Sequence, residues 1–275
     1  MQLSLPEDLS PELRRILEEN RAIVEATIKS YVEIKLKPHR GLSLWQSKVG
    51  GVPYLPRTID YPRDPDGVPL QLLAQLNFEE VPKLDGFPQT GILQFYISPH
   101  DDLYGMSFDR PTEQAKFRVL YFDQINQDKS YLISDFSFLP GFEYGPIDQG
   151  SARMEFELKA APISRLDYQF EQTLGDLFSS DPELSWEYHD LISNGTGHQI
   201  GGYPSFTQAD PRSHGDDQNY ILLFQLDSDD VVPESKTETG IDLMWGDTGI
   251  GNFFITQADL KRLNFSEVLY NWDCC

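Results

Sequence analysis

Between Leu70 and Phe78 apolar and polar positions alternate. Leu70, Leu72, Ala74, Leu76 and Phe78 fall on one face, and Gln71, Leu73, Gln75 and Asn77 on the other. Side chains of an extended chain point to opposite faces in turn, so this period predicts a strand. Tyr220 to Asp227 repeats the pattern, with Tyr220, Leu222, Phe224 and Leu226 on the apolar face. Segments 91–98, 117–122, 249–256 and 266–272 are rich in aromatic and β-branched residues and read as further strands. A different period marks residues 10–31, where Leu13, Ile16, Leu17, Ile23, Val24, Ile28 and Tyr31 recur at helical spacing. Ser10 can cap that helix, Pro11 suits its first position, and Tyr31 to Leu36 turns to strand before Pro38. Shorter helices are expected over 165–178 behind Ser164, near 182–191, and over 256–263 behind Thr256. Acidic or Gly/Pro-rich loops fill 56–69, 193–219 and 227–242. A few helices and about a dozen strands predict an α+β fold with mixed or mostly antiparallel sheets.

Several strings occur twice in the same order. Gly50-Gly51-Val52-Pro53-Tyr54-Leu55 returns as Gly201-Gly202-Tyr203-Pro204-Ser205-Phe206, an offset of 151. Leu72 to Asn77 returns as Leu222 to Asp227, Gly91 to Ser98 as Gly249 to Thr256, and Val119-Leu120-Tyr121 as Val268-Leu269-Tyr270. The expectation is an internally duplicated β-rich unit. Its parts are an N-terminal helix and strand over 1–40, a first repeat over 41–150 and a second over 151–275, fused in one globular unit.

Charge narrows the partners. The net charge is -22, unevenly spread: residues 171–260 hold 17 acidic residues against only Arg212 and Lys236, a net of -15. Such a surface repels the phosphate backbone of nucleic acid and anionic membranes, and attracts a basic protein. Met1 to Pro6 has no basic start or long apolar stretch, and no apolar run reaches the ~18 residues of a membrane helix. The only cysteines, Cys274 and Cys275, are adjacent, too few for a disulfide scaffold. A cytoplasmic protein is expected.

The repeated polar positions are the candidate ligand contacts. Gln75 matches Gln225, Gln94 matches Asn252 and Asn77 matches Asp227, each inside an apolar strand. A buried amide without partners costs ~1–3 kcal/mol, so these amides either tie loops to strands or line a cleft between the repeats. Asp227, Asp229, Asp230, Asp242 and Asp247 offer carboxylates to a hard cation, but their spacing matches no calcium loop. His39, His100, His189, His198 and His214 lack metal spacing. A Ser205–His198–Asp arrangement has no Gly-x-Ser-x-Gly elbow to support it. No metal or cofactor is expected. The set carried forward is Gln75, Gln94, Gln225, Asp227, Asn252 and Asp247.

Gly50 to Pro56, Leu72 to Phe78, His198 to Phe206, Leu222 to Asp229, Met244 to Ile255 and the Cys-Cys end resemble the YwqG-like family, a bacterial family of unknown function. The resemblance covers roughly residues 10–275. It implies a duplicated α+β fold and supplies no catalytic residue. Some members lie near toxin–immunity genes, which associates the family with protein binding. Three function classes stay open: a non-enzymatic module of immunity or inhibitor type that binds a basic protein through its acidic surface, a small-molecule binder or hydrolase-type enzyme with a site between the repeats, and a structural or stress-related protein with no dedicated ligand.

Overall fold

The alternating segments form strands, and all the strands join one sheet. A computed structural model describes residues 5–6, 8–141, 145–192, 197–214 and 219–275. The readings of Met1 to Ser4 and of Asp216-Asp217 fall outside them. In chain order come α1 (Pro11–Glu19), α2 (Arg21–Ala26), β1 (Lys29–Lys37), β2 (Lys48–Gly50), β3 (Gln71–Asn77), β4 (Ile92–Ile97), β5 (Phe117–Phe122) and β6 (Ile147–Ala161). Then follow α3 (Phe170–Thr173), α4 (Glu183–Ile192), β7 (His198–Gly201), β8 (Tyr220–Asp227), β9 (Asp229–Val231), β10 (Ile241–Leu243), β11 (Ile250–Thr256), α5 (Gln257–Lys261) and β12 (Leu269–Asp273).

The strand order is β12-β11-β8-β7-β1-β6-β2-β3-β4-β5, with β10 pairing β6 and β9. Two wings, β2–β5 and β7-β8-β11-β12, flank the central pair β1–β6. The strands that carry the matching strings take the same order outward in each wing. Register makes the relation closer: Gly50 faces Ser151 on β6, Gly201 faces Tyr31 on β1, and Lys35 faces Glu155 where the central strands cross. Each central strand lies against the wing it does not lead into directly. β1 precedes the first wing in sequence but pairs with β7 of the second; β6 precedes the second wing but pairs with β2 of the first.

The expected α+β fold with mixed or mostly antiparallel sheets is corrected here to an almost all-β one. Every strand pairing among the described residues is antiparallel, in one sheet of twelve strands. Among the described residues α-helix is confined to five short segments. The helix expected over 10–31 breaks at Asn20, whose side chain donates to the Ile16 carbonyl (2.9 Å), and Tyr31 already lies in β1. The helix expected over 165–178 is only α3 and a 3₁₀ turn, Gly175–Phe178. Residues 147–161, not read as a strand, form the longest one.

The sheet curls so that the wings pack face to face. Phe95 of β4 stacks on Phe224 of β8 at 4.8 Å, and Phe117 of β5 meets Tyr270 of β12 at 5.1 Å. These rings sit in the main core with Val32, Ile34 and Leu36, the inward row of β1. A second cluster holds the helices: Leu13, Ile16 and Leu17 of α1 pack with Phe170, Phe178 and Tyr188. Ser10 caps α1 at the Leu13 amide (3.2 Å) and also donates to Glu187 of α4 (2.7 Å). Thr256 likewise caps α5 through the Asp259 amide (3.1 Å). Among the described residues no helix is long and apolar enough to cross a membrane.

Both Gly-Gly turns need their glycines. Gly50, Gly51, Gly201 and Gly202 have φ of 67°, 71°, 69° and 73°. This left-handed region is costly for other residues. A Cβ on Gly202 would also stand 2.7 Å from Tyr31 Cβ.

A candidate binding groove on the central strands

The repeated amides lie on the outer faces of the two wings, one set on each, and each set ties a loop to its own wing. In the first wing Gln75 Oε1 accepts from the Tyr54 amide (2.7 Å), and its Nε2 donates to the Gln46 carbonyl (2.8 Å). Gln94 Nε2 donates to the Tyr54 carbonyl (2.7 Å) and to Gln75 Oε1 (2.7 Å). The second wing repeats the scheme: Gln225 accepts from the Ser205 amide (2.8 Å) and donates to the Gly197 carbonyl (2.7 Å), while Asn252 donates to the Ser205 carbonyl (3.0 Å). One difference follows from one hydroxyl. Tyr96 donates to Gln94 Oε1 (2.9 Å), but Phe254 stands at the matching place, and Asn252 Oδ1 is buried without a partner among the described residues.

Lys48 and Gln199 form a third matched pair. Lys48, only 1% exposed, donates to the carbonyls of Ser43 (2.9 Å), Leu44 (3.2 Å) and Val52 (3.0 Å). Gln199 Nε2 donates to Gly201 (3.0 Å) and Tyr203 (2.7 Å), and Tyr203 matches Val52. Burial lowers the Lys48 pKa to about 8, with Glu80 opposing.

His198 and Asp229 look at first like part of a catalytic relay. His198 Nε2 lies 3.1 Å from Asp229 Oδ2, and Nδ1 accepts from the Asp227 amide (3.0 Å). Both ring nitrogens are thus occupied, leaving neither for a serine hydroxyl. The Ser205–His198–Asp arrangement is not formed. The first wing explains why the ring is there: Ser47 Oγ accepts from the Asn77 amide (2.9 Å), and the Ser47 amide donates to Glu80 (2.8 Å). His198 does for Asp227 what Ser47 does for Asn77. Its hydrogen bond holds the Asp229 carboxyl below its ordinary pKa, against the effect of burial.

The acidic residues do not converge. Asp230 and Asp242 oppose each other across β9–β10, Asp227 accepts from the Ser228 amide (2.8 Å), and Asp247 sits in the exposed turn before β11. Among the described residues no group of three or more His, Cys, Asp and Glu is placed to hold a metal ion.

What the fold does build is a groove of about 470 Å³ floored by β1. Alternation on β1 sends Val32, Ile34 and Leu36 into the core and Lys29, Tyr31, Glu33, Lys35 and Lys37 outward. Gln199, Tyr203, Asp227 and Asp229 wall it; of the six residues carried forward only Asp227 touches it, while Asp229, His198 and Ser205, weighed beside them, line it too. Lys29 Nζ lies 4.1 Å over the Tyr203 ring; burial, with the nearby Arg212 charge, holds its pKa below the ordinary lysine value although Asp167 opposes this. Lys159 and Lys35 reach Glu33 at 2.7 and 3.2 Å. Burial alone would raise the Glu33 pKa, but these ammonium groups hold it down. Behind the Lys29 end, Arg212 binds Asp210 (2.6 Å) and Asp167 (2.8 Å) in a buried clamp. Burial works against the Arg212 charge, yet the two carboxylates keep its pKa above the ordinary value.

Residues 47–274 match a domain of unknown function, DUF1963. The chain belongs to the DUF1963 family. No curated protein matches it. The DUF1963 span contains both wings and β6 but begins after β1. The groove therefore joins DUF1963 walls, Gln199 to Asp229, to a floor that lies before the matched span. Lys29, Tyr31, Lys37 and Tyr203 were not singled out from the sequence. The period-two row Lys29-Tyr31-Glu33-Lys35-Lys37 was the signal for the three on β1.

Proposed function

We propose that this protein is a non-enzymatic protein-binding module, of the YwqG-like kind within the DUF1963 family, and that its partner occupies the groove on β1. The observation that carries this is a division of labour among the polar residues. The amides, His198 and Lys48 are committed to holding loops and strand ends. The outward row of β1 meets an open cavity, whose wall includes His198 and Gln199. Native mass spectrometry of protein gently purified from its source tests this, comparing wild type with the Lys29→Glu/Lys37→Glu double variant. A partner protein held in stoichiometric amount by the wild type and lost from the variant supports the proposal. The same partner on both would refute the groove. A small-molecule mass lost from the variant would favour a small-molecule binder at the same place.

The acidic surface supports a second reading, in which a basic protein docks over 171–260, where the net charge is -15. Steering of that kind depends on ionic strength. An association rate unchanged between low and physiological salt would exclude it.

A further inference from the structure

The cations along the groove floor are not equivalent. Lys35 is engaged by Glu33 and Glu157, both at 3.2 Å. Lys29 and Lys37, at the two ends, have no carboxylate within ion-pair distance among the described residues; Lys29 lies over the Tyr203 ring and feels Asp167 only at longer range, as Lys37 feels Asp229. The Tyr31 hydroxyl, between them, makes no hydrogen bond among the described residues and faces the groove. Eight residues of strand separate the two lysines, about 26 Å at ~3.3 Å per residue. A compact small molecule reaches one of them but not both. An extended chain running beside β1 reaches both, and it has the same rise per residue as the floor. Its carboxylates must then be about eight residues apart. An even spacing puts both on the side facing the floor.

We propose that the groove takes an extended acidic peptide segment of a partner protein, with carboxylates about eight residues apart on Lys29 and Lys37. This rests on the reading of the groove as the binding site. The locally cationic ends compete with the net charge of -22. At physiological salt the Debye length is about 8 Å, so distant carboxylates are screened while contacts inside the groove are not.

Fluorescence anisotropy tests the proposal with a labelled peptide of nine residues, glutamate at its first and ninth positions and serine and valine between. Three controls accompany it: the same peptide with lysine at both ends, one with the glutamates four residues apart, and glutarate as competitor. The long-spaced acidic peptide is expected to bind best. Lys29→Gln and Lys37→Gln should each weaken it about fivefold, as for one partly exposed ion pair, and together about 25-fold. Both side chains reach solvent, so the variants should keep the wild-type melting temperature. Equal binding of the short-spaced peptide, or unchanged affinity in either variant, overturns the proposal. Competition by glutarate at matched concentration overturns it too, by showing a small-anion site. Amide spectra of β1 separate the two levels of failure. Shifts with the lysine peptide but not the acidic one refute the charge assignment and leave the groove standing. No shift with any peptide refutes both.

Discussion

Lys48 gives the sharpest test of the matched wings. Its ammonium is buried among three carbonyls, and its folded-state pKa of about 8 lies below the ordinary 10.5. The unfolded chain therefore binds more protons between these values, and the sign follows: stability rises with pH through that window. The two values give about 2.5 kcal/mol of stabilisation from this one group between pH 7 and pH 10. Lys48→Gln removes the titration. It also copies the second wing, where Gln199 reaches the carbonyl that matches Val52. That variant should cost at most about 2 kcal/mol at pH 7, whereas Lys48→Ala should cost about 4, because buried carbonyls lose a charged donor. Urea unfolding of wild type and Lys48→Gln at pH 7, 8, 9 and 10 measures the difference, in which the tyrosine titrations cancel. The gap should move toward wild type by about 2.5 kcal/mol. Parallel stability curves across that range would refute the reasoning.

Other outcomes are expected. Arg212→Met leaves Asp167 and Asp210 buried without their cation and should cost about 3–5 kcal/mol, read by thermal unfolding. Gln75→Ala removes four hydrogen bonds and Gln225→Ala two, so the first should cost about 4 kcal/mol and the second about 2; equal costs would contradict the bonding described. His198→Asn removes the main cause of the low Asp229 pKa. A depressed carboxyl contributes stability above its unfolded value and loses it as pH falls through the folded one, so the variant should flatten acid unfolding. Carbon NMR should show Asp229 titrating closer to 3.8, its ordinary value.

The strands Leu70 to Phe78 and Tyr220 to Asp227 were legible as β3 and β8, but not their faces: a bulge at Leu73 and another at Leu223 break the alternation, so Leu70, Leu72 and Leu222 pack outside the main core that takes Ala74, Leu76, Phe224 and Leu226. Caps were legible too, since Ser10 and Thr256 bond the amides their spacing allows. β6 escaped because one of its rows is Arg153, Glu155, Glu157 and Lys159, which reads as solvated chain until β1 supplies the opposite charges. The amides were visible as repeated polar positions, but their partners are backbone groups of distant loops, which no side-chain pattern reveals. The groove was the least visible feature. It depends on β1 lying beside β7, and nothing local to either segment specifies that neighbour.

That neighbour also sets a timetable for synthesis. β1 leaves the ribosome about 110 residues before β6 and some 160 before β7, its two partners. At roughly 5–20 residues per second, both its edges stay bare for several seconds, and one of them for about 8–30 s. A bare strand with an apolar row is a template for aggregation. Lys29, Glu33, Lys35 and Lys37 on its other face supply the charge that discourages such pairing while the nascent chain waits. The row that floors the groove in the finished protein thus doubles as a guard for this strand during translation.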